Sequence, residues 1–163
     1  MQLIRQIVTE VISVALELFT LAESEGIAIE WWDFNPPLEA VYWAMPELPP
    51  VIGLSYVVSS NQAHLREVLA EELGHHFTSV GHALPHTFFH YRDRLLVSKS
   101  EYHAIRWAAN YLIPQHKLQK AMECGITTRW ELAEHFNVTE QMMNFRLRLP
   151  AAASYHDRKG ALI

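Results

Sequence analysis

The chain has 163 residues, of which 50% are hydrophobic, so it is long and apolar enough to bury the core of one domain. Its formal net charge of −5 at pH 7 argues against a nucleic-acid-binding surface, because phosphate contacts need clustered lysine and arginine. A protein partner is expected instead. The single cysteine, Cys124, cannot form an internal disulfide, and no signal peptide or membrane span is recognised in the sequence. We therefore expect a cytoplasmic protein.

The first half of the chain predicts a helix followed by a small sheet. Apolar residues recur at steps of three and four from Leu3 to Leu21, which is typical of an amphipathic helix, and Gly26 ends it. Three short runs rich in β-branched and aromatic residues come next and predict strands at 27–34, 41–43 and 51–56. Because the links between them are short, we expect a mostly antiparallel three-stranded sheet packed on helices, which is an α+β fold.

A long helix is predicted over residues 64–77, with Ser60 or Asn61 as its cap, and it carries the string E-E-x-x-H. Residues four apart lie on one helical face, so Glu71 and His75 can share one cation, while Glu72 sits a step round the helix. This is the spacing of the zincin motif H-E-x-x-H with glutamate in place of the first histidine, and a carboxylate is an accepted zinc ligand. The same string also occurs by chance in core helices. Packing on the sheet is expected in either case through Leu65, Val68, Leu69, Leu73 and Phe77.

A second helix, predicted over residues 101–113 with Ser98 or Ser100 as its cap, offers two candidates for a third ligand. Glu101 lines up with small residues that would let a neighbouring helix approach and bring its carboxylate inward, namely Ala104 and Ala108. Otherwise it is a surface acid in the first turn, favoured by the helix dipole. His103 is the competing ligand, but two residues subtend about 200° on a helix, so Glu101 and His103 point to nearly opposite sides.

The remaining segments leave further alternatives open. His82, His86 and His90 in the preceding loop are possible ligands, although loop histidines are more often solvated. Helices are predicted over 115–123 and 128–149, and the second of these contains a turn with helix-turn-helix spacing. We expect it to pack into the domain instead of reading DNA, because its exposed side is acidic or neutral. The packing residues would be Leu132, Phe136, Val138, Phe145 and Leu147, with Trp107 and Trp130 adding aromatic burial.

Three segments together resemble the ImmA/IrrE metallopeptidases of bacteria, phages and integrative elements, over roughly residues 1–150. They are L-A-E-E-L-G-H-H-F-T-S-V-G from Leu69, E-Y-H-A-I-R-W-A-A-N-Y-L-I-P from Glu101, and E-L-A-E-H-F-N-V-T-E from Glu131. The resemblance implies a single zincin-like minimal metallopeptidase domain over residues 1–150 with C-terminal helices, followed by a flexible tail at 151–163. It also implies zinc as the cofactor, His75 and Glu101 as ligands with Glu71 at the position of the family's first histidine, and Glu72 as the general base.

The resemblance also suggests a substrate. Family members are associated with cleavage of a partner helix-turn-helix repressor in phage or mobile-element regulation, so we expect an adjacently encoded repressor as the protein substrate, with no membrane or nucleic-acid partner. Because Glu71 departs from the family's histidine, a catalytically inactive member that binds and sequesters the repressor is the alternative. A helix-turn-helix regulator is the third hypothesis.

Overall fold

The computed structural model describes residues 15–78 and 99–150. The predicted helix 3–21 is therefore seen only from Leu16, and the histidine loop 81–90, Ser98 and the tail 151–163 lie outside the described residues. The helices are α1 (Leu16–Ser24), α2 (Gln62–Thr78), α3 (Lys99–Leu112), α4 (Gln115–Glu123), α5 (Arg129–Phe136) and α6 (Glu140–Arg148). The strands are β1 (Ala28–Trp32), β2 (Ala40–Trp43) and β3 (Val51–Ser55), and a 3-10 helix covers Tyr56–Ser60. Among these described helices, none has both the length and the apolar character needed to cross a membrane.

The three strands form one mixed sheet in the order β1-β3-β2. β3 pairs antiparallel with β2 but parallel with β1, so the α+β class is confirmed and the mostly antiparallel pairing is wrong. The physical reason lies in burial, since the central strand of a sheet is the most covered. Ile52 and Leu54 of β3 are fully buried, whereas every residue of β1 is exposed or half-buried. β3 therefore lies at the centre of the sheet, and the link 33–39 carries the chain from β1 to β2 at the opposite edge.

The core lies between the inner face of this sheet and α2. Leu65, Leu69 and Leu73 of α2 are fully buried in one cluster with the strand residues, and Val68 packs against the cluster, as predicted. The predicted burial of Phe77 is wrong, because that side chain is 40% exposed. Its ring instead stacks on Trp107 of α3 at a centroid distance of 4.8 Å.

The C-terminal helices α5 and α6 form a hairpin that packs into the domain. The predicted burial of Leu132, Phe136 and Val138 is confirmed, and Phe145 is half-buried against the core. It is wrong for Trp130 and Leu147, which are 56% and 42% exposed.

A buried arginine accounts for the misplaced Leu147. Arg146 is 1% exposed, and its Nε–H donates to the Ile113 carbonyl at 2.8 Å. Its Nη2 also lies 2.7 Å from Gln115 Oε1. The guanidinium thereby satisfies a carbonyl at the end of α3, and burial lowers the pKa of Arg146. Since Arg146 occupies the inward position on α6, its neighbour Leu147 faces solvent.

Candidate metal centre

The middle of α2 is buried on every side, although it carries several ionisable residues. Asn61 caps the helix, because its side-chain oxygen accepts the His64 backbone N–H at 3.1 Å, and this confirms one of the two predicted caps. From Leu69 to His75 every residue is buried, and Glu71, Glu72 and His75 are each at most 5% exposed. Acidic side chains are almost never buried to this extent unless they are paired or coordinate a cation.

A close approach of α2 and α3 fixes the position of Glu101. A Cβ atom added at Gly74 would lie 2.4 Å from the Ala104 carbonyl oxygen, so the two backbones are in direct contact there. Ala104 and Ala108 are fully buried, as the small-residue stripe predicts. Gly74 is not among the residues predicted from the sequence. The available signal was a glycine in a helix interior, which costs about 1 kcal/mol relative to alanine and therefore needs a packing reason.

Glu71, His75 and Glu101 converge at this contact. Each offers one ligand atom, and these atoms all lie within 4.8 Å of one another. His75 Nε2 is 3.5 Å from Glu101 Oε2, and the Glu101 side chain is 15% exposed. Ligand atoms about 2.1 Å from a tetrahedral zinc ion lie about 3.4 Å apart, so this spacing suits a cation better than a direct hydrogen bond. The donor set of two carboxylates and one imidazole therefore fits a divalent cation.

The structure also separates the two candidates for a third ligand. Within the described residues, the group that could hold a cation contains Glu101 and not His103. The His103 ring lies against Tyr102 at a centroid distance of 6.1 Å. Ser100 lies inside α3, which begins at Lys99, so Ser100 is not its cap and that part of the prediction is wrong. Glu72 is 3% exposed and adjoins Glu71 on the neighbouring face of α2.

His76, the residue after His75, has a different role. Its Nδ1 is 2.8 Å from the Tyr42 hydroxyl oxygen, and its Nε2 is 3.6 Å from a Glu25 carboxylate oxygen. Burial raises the pKa of Tyr42, so the hydroxyl that pairs with His76 stays protonated. His76 therefore ties α2 to β2 and to the end of α1, on the sheet side of the helix.

Glu67, one turn before Glu71, is a buried carboxylate that the sequence analysis missed. It is 4% exposed, and it accepts hydrogen bonds from the Thr139 backbone N–H and, at 3.0 Å, from the Thr139 hydroxyl. Burial raises the pKa of Glu67 to about 7, against the lowering effect of the Thr139 hydrogen bonds and of His64. The available signal was its position four residues before Glu71, which continues the same helical face.

Arg66, next to Glu67 on α2, also binds the α5–α6 hairpin. Its Nη1 donates to the carbonyl oxygens of Phe136 at 2.7 Å and Asn137 at 2.9 Å. Its Nη2 pairs with Glu17 of α1 at 2.7 Å. This turn of α2 therefore holds the α5–α6 hairpin, while the next two turns carry Glu71 and His75.

Comparison with known families supports a peptidase-type centre. The family model Peptidase_M78, described as the IrrE N-terminal-like domain, matches residues 22–148. The match covers well over half of the chain and includes α2, α3 and the clustered residues Glu71, His75 and Glu101. None of the curated proteins compared with the chain matches it.

Proposed function

The chain belongs to the IrrE N-terminal-like peptidase family, and from this premise we propose that it is a zinc-dependent endopeptidase. The observation that carries the proposal is the convergence of Glu71, His75 and Glu101 within 4.8 Å, on two helices in backbone contact. The cluster is buried, so its charges act in a medium of low dielectric constant, where electrostatic effects are large.

Glu72 is the residue we assign to proton transfer. Zinc held by Glu71, His75 and Glu101 would supply Lewis-acid polarisation of the scissile carbonyl and make water a better nucleophile at neutral pH. Glu72 takes the proton of the attacking water as general base and returns it to the leaving amine as general acid. Its place directly after Glu71 turns it off the Glu71–His75 face, so we do not count it among the three ligands.

The proposed substrate is a helix-turn-helix repressor encoded beside this gene in a phage or mobile element. The sequence resemblance supports this choice, and the net charge of −5 suits a protein partner better than a nucleic acid or an anionic membrane. The second candidate is an inactive member that binds and sequesters the repressor. It is favoured by Glu71, since a second carboxylate in the donor set reduces the Lewis acidity available to the reaction.

The test compares the wild-type chain with Glu72→Gln, which keeps size and most hydrogen bonding but removes the base. Each protein is incubated with the neighbouring repressor, with and without a chelator, and the products are read by mass. We expect specific fragments from wild type, none with chelator, and a loss on the order of 100- to 10,000-fold in the variant with zinc content unchanged. Glu134→Gln, the same change at an exposed position on α5, is the control and should cleave normally. An intact repressor that co-purifies with every form would favour sequestration.

A further inference from the structure

The charges of this chain are distributed very unevenly. Residues 6–65 contain eight aspartate and glutamate residues and no lysine or arginine, although the whole chain has 13 basic residues. All three strands fall in this acidic stretch. The modest net charge therefore conceals an acidic sheet region beside a more basic helical region, and such asymmetry marks a surface that attracts a partner of opposite sign.

One face of the sheet is turned away from α2 and the core. Ile29, Tyr42 and Ile52 lie in one cross-strand row and belong to or pack against the core. Because side chains alternate along a strand, their neighbours point to the opposite side. We call this side the outer face, and it includes Ala28, Glu30, Trp32, Val41, Trp43, Val51 and Gly53.

Trp32 forms an aromatic platform on the outer face. Its ring lies directly over Gly53, where an added Cβ would be 2.3 Å from Trp32 Cε3. The indole N–H donates to Glu30 Oε2 at 2.8 Å, and the Phe34 ring meets it edge-on at 5.5 Å. Trp43, on the other edge strand, is 43% exposed. A fixed tryptophan, a second exposed tryptophan and intervening valines are the components of an interface core.

Acidic residues lie on this face or in the chain segments next to its strands. Glu30 lies on the outer face itself, Asp33 follows β1, and Glu47 lies in the link between β2 and β3. All three are exposed. An exposed apolar area with a charged rim is typical of a protein-binding surface, and rim charges select partners of the opposite sign. Nucleic acids and anionic membranes carry the wrong sign for this rim.

We propose that the outer face is a docking surface for a basic protein partner, which packs apolar side chains on Trp32 and Trp43 and places lysine or arginine beside Glu30, Asp33 and Glu47. The surface lies on the opposite side of the sheet from α2 and its buried cluster. Docking here is therefore independent of the cation, and the proposal stands whether or not the chain cleaves peptides.

The probe is a short helical peptide with leucine on one face and lysine on the other, titrated into the isotope-labelled chain and followed by NMR. We expect shifts of backbone amides in β1, β2 and β3, and an affinity that falls with added salt. The matched peptide with glutamate in place of lysine should bind at least about tenfold more weakly. Shifts that map to the helical region instead of the sheet would overturn the proposal.

Two substitutions in the protein itself test the same surface. Trp43→Ser removes an aromatic contact and Glu47→Lys reverses a rim charge, and each should weaken peptide binding about tenfold. The controls make the same chemical changes on α5, at the exposed positions Trp130→Ser and Glu134→Lys, and should bind as wild type. Thermal unfolding checks that each variant is folded.

Two results would contradict the proposal. Weakening in Glu134→Lys equal to that in Glu47→Lys would show that the peptide binds through overall charge alone, and equal weakening in Trp130→Ser and Trp43→Ser would show that the contact is not specific to the outer face. A wild-type dimer in sedimentation that Trp43→Ser dissociates would assign the outer face to a second copy of the chain. Because these readouts measure binding and not cleavage, neither result bears on the proposed peptidase activity.

Discussion

Successive turns of α2 bury carboxylates in opposite chemical surroundings. Glu67 faces donors, since both of its oxygens accept hydrogen bonds from Thr139. Glu71, one turn later, faces groups that bind cations as it does, namely the imidazole of His75 and the carboxylate of Glu101. Glu67 and Glu71 have the same residue type, the same helix and the same degree of burial. They differ only in the side chains and backbone groups that surround them.

The contrast separates a structural carboxylate from a functional one. A buried carboxylate among N–H and O–H donors completes the hydrogen bonding of the fold, as Glu67 does for Thr139, the N-cap residue of α6. Two carboxylates brought close together repel each other, and a divalent cation bound between them turns that repulsion into attraction. The two turns should therefore respond differently to substitution, one in metal binding and the other in stability.

The largest expected effect is the loss of zinc in His75→Ala. Removing one of three ligands should lower zinc affinity on the order of 100-fold or more, so metal analysis after dialysis should find zinc in wild type and none in the variant. The domain should stay folded, because Leu65, Leu69 and Leu73 continue to pack. Circular dichroism in the presence of chelator checks this.

His103→Ala is the matched control for this loss. His103 lies outside the clustered group, so removing its imidazole should leave zinc content unchanged. Zinc that persists at wild-type level in His75→Ala, or disappears in His103→Ala, would show that the two turns of α2 do not differ in the way proposed.

Local sequence patterns predicted much of the fold but could not separate these two turns. Periodicity predicted the helices and strands to within a few residues, and the spacing of Glu71 and His75 suggested a shared cation. Glu101 was added to these two by the family resemblance. Glu67 precedes Glu71 by four residues, just as Glu71 precedes His75 by four. The hydrogen-bond partner of Glu67, Thr139, lies 72 positions further along the chain. The order of the strands and the burial of Arg146 likewise depend on contacts between residues that are far apart in the sequence. Such contacts leave no local pattern.

An intermediate effect is expected from Glu67→Gln, measured as stability against pH with chelator present. Burial raises the pKa of Glu67 from 4.5 to about 7, so the folded state holds its proton more tightly than the unfolded state. This contribution is full below pH 4.5 and is lost as pH rises towards 7. Since the pKa rises by about 2.5 and one pKa unit is about 1.4 kcal/mol, the loss should be about 3 kcal/mol.

Glu67→Gln should not lose stability in this pH range, because glutamine has no proton to release. Chemical unfolding of both proteins at a series of pH values between 4 and 8 gives the difference, in which other titrating groups cancel. Parallel curves for wild type and variant would contradict the assignment. Zinc content should be the same in both proteins, in contrast to His75→Ala.

The smallest expected effect, from Gly74→Ala, tests whether helix contact sets the ligand spacing. The added methyl would meet the Ala104 backbone at 2.4 Å, and two helix backbones cannot yield as a side chain can. Overpacking costs about 1 to 3 kcal/mol, while alanine regains about 1 kcal/mol of helix propensity, so the net loss of unfolding free energy should be about 1 kcal/mol. Separation of α2 from α3 also moves His75 from Glu101, so zinc affinity should fall about tenfold.

Gly125→Ala distinguishes spacing from stability as the cause of any weaker zinc binding. Its Cβ would meet nothing within 4 Å, but Gly125 has φ +91, a left-handed conformation that strains alanine. It should therefore lose a similar amount of stability, on the order of 1 kcal/mol, and bind zinc as wild type does. Calorimetric titration with zinc, beside chemical unfolding in chelator, measures both quantities for the two variants. Equal zinc affinities in Gly74→Ala and wild type would mean that the cluster adapts when the helices part, so that backbone contact positions α3 without tuning the distance between His75 and Glu101.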